Sequence, residues 1–115
     1  MKILFDTSSW IHHFHKRDNS LTEALENDLL VIHEMVLGEL VVGRLPPAVF
    51  KDLLKLERLP QSDWMEIVDF TYVQKLYGIG LSWVDICLLY SSLVHEVELV
   101  TRDKTLLQIY QKLSK

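Results

Sequence analysis

Three short apolar runs, widely separated along the chain, set the strongest constraint on its fold. They occupy residues 2–5, 29–32 and 98–101. Their length and continuous apolar character are typical of strands that are covered on both faces, as in a parallel sheet. Helical patterns fill the intervals between them. This alternation predicts an α/β domain with a mainly parallel, twisted sheet of four or five short strands flanked by helices.

Apolar spacing and capping residues predict the helices. Ser8 or Ser9 is the expected N-cap of the first helix, and Asn19 or Ser20 that of the second. The helix that opens at Ser82 is the most apolar and is expected to be the most buried. The segment 64–68 is predicted as a short strand. The predicted helices lie around residues 10–14, 21–25, 34–42 (ended by Gly43), 47–56, 70–77, 82–95 and 104–113.

Length and cysteine content bound the organisation of the chain. With 115 residues, 49% of them apolar, one compact domain over residues 1–115 is expected, with a core large enough to need no disulfide or structural metal. The single Cys87 agrees, and it favours a reducing, cytoplasmic setting. No apolar run approaches the roughly 18 residues of a membrane span, and the first run is too short for a signal peptide. No membrane association is therefore expected.

The charge balance restricts how the chain could bind nucleic acid. Sixteen acids against 12 bases give a net charge of -4, which argues against binding through a bulk positive field. If four of the acids hold cations, the remaining acids equal the bases in number. The composition therefore does not exclude a nuclease.

Four acids stand at unusual places. Asp6 follows the first apolar run and Asp103 follows the last, so both are expected at carboxyl ends of strands, where α/β sheets bind ligands. Glu39 and Asp85 lie inside apolar helical stretches, where a carboxylate needs a partner. Each acid could be satisfied separately, by a helix end, a hydroxyl or a base. The shared explanation is a site for a hard divalent cation, Mg²⁺ or Mn²⁺, which prefers oxygen ligands.

The residues around these acids resemble those of a known family. The four segments that carry the resemblance are distributed over nearly the whole chain, and their order and spacing are more specific than any one of them. They are FDTS at 5–8, GELVVGR at 38–44, GLSWVD at 80–85 and LVTRD at 99–103. Together they resemble PIN-domain ribonucleases, and among these the compact VapC-type toxins of toxin–antitoxin modules.

The resemblance implies a metal-dependent endoribonuclease. It assigns the catalytic and metal-holding roles to four acids, namely Asp6, Glu39, Asp85 and Asp103, and a secondary polar shell to Ser8 and Thr101. It implies that a metal-activated water hydrolyses phosphodiester bonds in structured RNA, such as tRNA or rRNA, and leaves a 5′-phosphate. It also implies a VapB-type antitoxin as a partner. A homodimer is expected separately, from apolar surface in the first part of the chain.

Two groups of residues are candidates for contacts with these partners. Arg44, Arg102 and Lys104 lie near the acids and could hold RNA phosphates, although a base beside an acid is more often a local ion pair. Apolar residues crowd the first part of the chain and could support an antitoxin or a second copy, but core burial explains them equally well. They are Trp10, Ile11, Phe14, Leu21 and Leu25.

Other readings of the same residues lead to other functions. A phosphotransferase with Asp6 as nucleophile is disfavoured, because the second acid that such enzymes carry two residues later is replaced by Ser8. A non-catalytic binding module, whose acids are structural or hold a cation without turnover, stays open. His12 and His15 lack a third ligand and are expected at the surface, and Cys87 is expected to act as a small buried apolar side chain.

Overall fold

A four-stranded parallel sheet forms the centre of the computed structural model, which describes all of residues 1–115. The strands stand in the order β3-β2-β1-β4, and every neighbouring pair is parallel. The mainly parallel α/β architecture predicted from the apolar runs is therefore confirmed, with four strands. The strands are β1 (Ile3–Phe5), β2 (Leu30–Ile32), β3 (Glu57–Arg58) and β4 (Glu98–Val100).

Seven helices surround the sheet, and the predicted bounds of 34–42 and 104–113 are confirmed. The helix that Ser82 caps contributes more fully buried residues than any other helix, as predicted. None of the helices has the length and apolar content that a membrane crossing requires. The helices are α1 (Thr7–His15), α2 (Asn19–Glu26), α3 (Glu34–Val42), α4 (Pro47–Leu53), α5 (Trp64–Val73), α6 (Trp83–Val94) and α7 (Lys104–Leu113).

The segment after Asp63 was predicted wrongly. Residues 64–68 form the start of α5 and not a strand, and the helix ends at Val73 and not near Gly78. Packing favours the helix, because the buried Ile67 and Phe70, which meets Tyr90 of α6 with ring centroids 5.1 Å apart, are three residues apart and so share one helical face. Lys75 then adopts a left-handed conformation with φ of 56°, which ends the helix early.

Carboxylates cap the first two helices, in place of the predicted serines and asparagine. The side chain of Asp6 accepts from the backbone N–H of Ser9, and Asp18 accepts from the backbone N–H groups of Ser20 and Leu21. Strand β3 was not predicted, because Glu57 and Arg58 are both exposed and show no apolar pattern.

The topology gathers four helix starts at one edge of the sheet. Helices α1, α3 and α7 directly follow the carboxyl ends of β1, β2 and β4. Helix α6 precedes β4 and packs against it, so it runs antiparallel to the strand and also begins near that edge. We call this edge, with Asp6, Glu39, Asp85 and Asp103 on the elements that begin there, the acidic edge.

A buried histidine fixes the start of α3, the helix that carries Glu39. His33 is 1% exposed, and its Nδ1 accepts from the backbone N–H of Met35 at 3.1 Å. Burial lowers the pKa of His33 below its ordinary value of 6.5, and the nearby His95 acts in the same direction while Glu34 opposes it. The cap needs the neutral ring, because a protonated Nδ1 cannot accept a hydrogen bond.

We expect His33 to make the fold less stable in mild acid. Below pH 6.5 the unfolded chain binds a proton on this residue and the folded chain does not, so the free energy of unfolding falls as pH falls. The loss is at most about 1.4 kcal/mol per pH unit. His33→Asn keeps a capping acceptor that does not titrate. Urea unfolding at pH 7.5 and 5.5 should therefore show a smaller loss for the variant; equal losses would contradict this role.

Candidate active site

Asp6 is the centre of the acidic edge. It directly follows β1, is 4% exposed, and its backbone N–H donates to the Val100 carbonyl at 3.0 Å. Its Oδ1 accepts from the Ser9 backbone N–H at 2.9 Å and from the Ser8 hydroxyl at 2.8 Å, while Oδ2 accepts from the Thr101 hydroxyl. Three donors thus hold a buried carboxylate in one orientation with no basic residue beside it.

Thr101 joins Asp6 to the start of α7. It is a buried residue at the end of β4, and its hydroxyl donates to Asp6 and accepts from the backbone N–H of Asp103 at 3.0 Å. The Oδ1 of Asp103 in turn accepts from the backbone N–H of Leu106 at 3.0 Å and caps α7. One buried hydroxyl therefore sets the relative positions of two of the candidate acids.

Glu39 approaches from α3 and Asp85 from α6. Glu39 is exposed, contrary to the expectation from its apolar neighbours, because it lies on the solvent side between the buried Leu37 and Leu40. Its Oε1 accepts from the hydroxyl of Thr7, the first residue of α1. Asp85 is half-buried and forms a capping box with Ser82, with both hydrogen bonds at 3.1 Å.

The charges of the four acids are not neutralised within the protein. The ion pairs of the chain are Lys2 with Glu57 and Lys55 with Asp52, both elsewhere. In Glu39, Asp85 and Asp103 one carboxylate oxygen accepts a hydrogen bond, and the other has no protein donor. Three of the acids are therefore held by one oxygen and can offer the second to a ligand.

The donor chemistry of these residues suits Mg²⁺ or Mn²⁺, since every candidate ligand is a carboxylate oxygen. The side chains do not, however, stand close enough for three of them to ligate one ion: no group of three or more His, Cys, Asp or Glu residues is arranged to hold a metal. The structure brings Asp103 to Asp6 through Thr101, and Glu39 to the first residue of α1. Any closer convergence requires the exposed carboxylates to rotate.

The three basic residues near the site also have no acidic partners. Arg44, Arg102 and Lys104 are exposed, and none forms an ion pair, so the alternative of local ion pairs does not describe them. Arg44 follows the end of α3 in a left-handed conformation with φ of 74°. It shares a groove with Glu39, which connects it to the acidic edge.

That groove, which we call the α1–α4 groove, lies between α1, α3 and the start of α4 and encloses about 410 Å³. Its apolar wall includes Ile11 and Phe14, which are 44% and 45% exposed, so core burial does not account for these two residues. Trp10 and Leu21 are buried and belong to the core. The groove is lined by Ile11, Phe14, His15, Glu39, Leu40, Gly43, Arg44, Leu45, Pro46 and Val49.

Some contacts at the site were not predicted from the sequence. Thr7, Ser9 and Ser82 hold Glu39, Asp6 and Asp85 respectively. The signal for Ser82 was present, because Ser followed three residues later by an acid is a capping-box pattern. Cys87 is buried, as predicted, and burial raises its pKa to about 11, which excludes a role as a thiolate nucleophile.

We expect the Thr101 hydroxyl to be important for stability. Thr101→Val keeps the shape of the side chain but leaves the Asp6 Oδ2 without a donor and the Asp103 N–H without an acceptor. The variant should lose about 1–3 kcal/mol of unfolding free energy. Thr105→Val, at an exposed position of α7, is the matched control and should change it by less than about 0.5 kcal/mol. Equal stabilities of the two variants in urea would show that the Asp6 contact contributes nothing.

Comparison with known proteins agrees with this geometry. The PIN domain model matches residues 3–112. Ribonuclease VapC32 of Mycobacterium tuberculosis, in strains CDC 1551 and H37Rv, is 39% identical over 107 residues, covering 90% of this chain and 86% of the relative. The crystal structure of PAE2754 from Pyrobaculum aerophilum shares the fold, with a TM-score of 0.63 at 20% identity over 94% of this chain and 85% of that one. The chain belongs to the PIN-domain family, in its VapC-type ribonuclease group.

Proposed function

We propose that this PIN domain is a Mg²⁺- or Mn²⁺-dependent endoribonuclease that hydrolyses phosphodiester bonds in structured RNA, tRNA or rRNA, as the toxin of a VapBC-type pair. The observation that carries the proposal is the acidic edge, where four carboxylates lie on elements starting at one edge of the sheet without a basic partner. Because its proposed substrates, tRNA and rRNA, are found in the cytoplasm, we propose that the protein acts there.

The acids have separable roles in this proposal. Asp6 is held by three donors and supplies a fixed negative charge. Glu39, Asp85 and Asp103 keep one oxygen free, and with Asp6 they would hold the cation. When bound, Mg²⁺ or Mn²⁺ supplies positive charge against the scissile phosphate and makes the attacking water more acidic. A carboxylate that is not fully engaged accepts the proton of that water.

Other residues of the chain orient the site and the RNA. Ser8 and Thr101 form the secondary polar shell, since both donate a hydrogen bond to Asp6. Arg44, Arg102 and Lys104 are exposed and unpaired, so we assign them to RNA phosphates on either side of the bond that is cut. Attack by water leaves the 5′-phosphate on one product.

A VapB-type antitoxin is the second proposed partner. The α1–α4 groove has exposed apolar walls at Ile11 and Phe14, with Arg44 and Glu39 at its margin. It therefore suits an apolar peptide segment whose flanking charges reach the acidic edge. An antitoxin seated there would cover Glu39 and block RNA from the site.

A homodimer is the third proposed assembly, with α5 as the contact between copies. This helix and the loop after it expose large apolar side chains that nothing in the monomer covers. Trp64 is 62%, Tyr72 68% and Val73 74% exposed. These exposed apolar side chains suit a contact with the same helix of a second copy.

One observation favours the alternative of a non-catalytic module. Asp6, Asp85 and Asp103 all cap helices, so each has a structural role that requires no metal. Such a module would keep the acids, bind RNA or a cation, and release no product. Cleavage by the purified protein separates the two candidates.

The test is incubation of the purified chain with total cellular RNA in Mg²⁺, in Mn²⁺ or in chelator, followed by mapping of new 5′ ends. We expect discrete cuts that need metal and disappear in Asp6→Asn and Asp85→Asn, which keep the capping oxygens. Asp28→Asn, at an exposed acid in the turn between α2 and β2 whose carboxylate accepts no hydrogen bond, is the control and should cut like the parent. Far-UV circular dichroism of each variant verifies its fold. Cuts that persist in chelator, or in both site variants, would contradict the proposal.

A further inference from the structure

A second groove opens at the acidic edge, between α3 and the first turn of α6; we call it the α3–α6 groove. It is a shallow depression of about 480 Å³ that is largely open to solvent. We propose that it holds one unpaired RNA base, stacked on the indole of Trp83, from a nucleotide next to the scissile phosphate. This inference rests on the proposed function, whose substrate it describes. The lining residues are Met35, Gly38, Glu39, Val42, Trp83 and Val84.

Trp83 has the properties of a stacking platform. It is the first residue of α6 and is 41% exposed, although it is the largest side chain at this edge. Its ring pairs with no other aromatic ring of the protein, whereas Trp10 packs on Phe14 and Phe70 on Tyr90. The indole therefore keeps aromatic surface for a ligand. Stacking on such a ring is the usual way in which proteins hold unpaired bases.

The groove is also empty beside Gly38 of α3. A Cβ atom built on Gly38 would meet nothing within 4 Å, so the space above this position is empty. Val42, one helical turn further along α3, is 87% exposed and borders the same space. A flat ligand can thus lie between the apolar face of α3 and the indole. A longer side chain at position 38 would occupy that place.

Charge selects a base over a phosphate for this groove. Glu39 is its single charged residue, and no Lys, Arg or His lines it. A phosphate here would meet a carboxylate and no cation, whereas a neutral base avoids that repulsion. The α1–α4 groove, on the other side of Glu39, does contain Arg44 and His15. We therefore assign the RNA backbone to the side of Glu39 that faces the α1–α4 groove, and the base to the α3–α6 groove.

The position of the α3–α6 groove places a bound base near two of the candidate metal ligands. Glu39 lines the α3–α6 groove, and Asp85 lies two residues after Trp83 in the same helical turn. Both are candidate ligands for the cation that would hold the scissile phosphate. A base stacked on Trp83 therefore belongs to a nucleotide that flanks the bond to be cut.

The test measures RNA binding separately from cleavage. In the Asp6→Asn background, with Mg²⁺ present, fluorescence anisotropy gives the Kd for fluorescein-labelled 12-nucleotide oligomers of A, C, G or U and for an abasic ribose-phosphate oligomer. We expect Trp83→Ala to weaken binding of the tightest base-containing oligomer about tenfold and to leave binding of the abasic oligomer unchanged. Trp83→Phe should restore most of the affinity.

Two further variants control for side effects. Gly38→Leu places a strong helix former in α3 and fills the groove, so it should fold at least as well as the parent and still weaken binding of the base-containing oligomers. Val94→Ala removes another exposed apolar side chain of α6, far from its first turn, and should leave binding unchanged. Sedimentation of each variant reports its oligomeric state.

The inference is overturned if no oligomer binds, or if Trp83→Ala and Gly38→Leu bind RNA like the parent. It is also overturned if Trp83→Ala changes only the oligomeric state, because the groove would then be a contact between copies. These outcomes are distinct from failure of the proposed function. A wild-type chain that cuts RNA while Trp83 is irrelevant refutes the stacking alone. Trp83-dependent binding by a chain that never cuts refutes the nuclease alone.

Discussion

The hydrogen bond between Thr101 and Asp6 is the interaction on which the acidic edge depends. It joins the carboxyl ends of β1 and β4, two neighbouring strands whose chain positions are far apart. The same hydroxyl accepts from Asp103, and the same carboxylate caps α1. One buried pair therefore fixes the start of two helices and two candidate ligands. Removing either partner leaves a buried polar group unsatisfied, which costs more than the bond itself contributes.

The remaining acids follow a common arrangement. Each of Glu39, Asp85 and Asp103 uses one oxygen in a hydrogen bond to its own element or a neighbouring one, and leaves the other oxygen free. Asp85 and Asp103 stabilise the starts of α6 and α7 through these bonds, but no basic residue of the protein neutralises the charges of the three acids. The arrangement is consistent with a ligand that arrives later and compensates the charge. The nearby basic side chains likewise form no ion pair and are available for RNA phosphates.

Sequence patterns predicted the sheet well because its strands are covered on both faces. Residues 3–5 and 30–32 are entirely apolar and largely buried, and β4 adds the buried Leu99 and half-buried Val100 after the exposed Glu98. The strand prediction was wrong at residues 64–68, because this run of large apolar residues forms the first half of α5, which packs on α6. It also failed at β3, where two exposed residues without an apolar pattern join the sheet beside β2.

The candidate site was predictable in its residues but not in its geometry. The places of Asp6 and Asp103 at strand ends follow from the apolar runs, and Glu39 and Asp85 stood out inside apolar helical stretches. The resemblance to PIN domains gave all four a shared role. The exposure of Glu39 could not be read from its apolar neighbours, since it depends on which side of α3 faces the core. The distances between the carboxylates depend on rotamers of exposed side chains, which the sequence does not determine.

Paramagnetic broadening by Mn²⁺ in the amide spectrum of the ¹⁵N-labelled protein tests the central claim most directly, because it locates the bound ion. With Mn²⁺ well below one equivalent, the account predicts that signals near Asp6, Glu39, Asp85 and Asp103 broaden first. Signals around Asp52 and Glu57, whose charges are paired with lysines, should persist. Broadening centred on those paired acids, or spread evenly over the surface, would show that the acidic edge does not bind a cation.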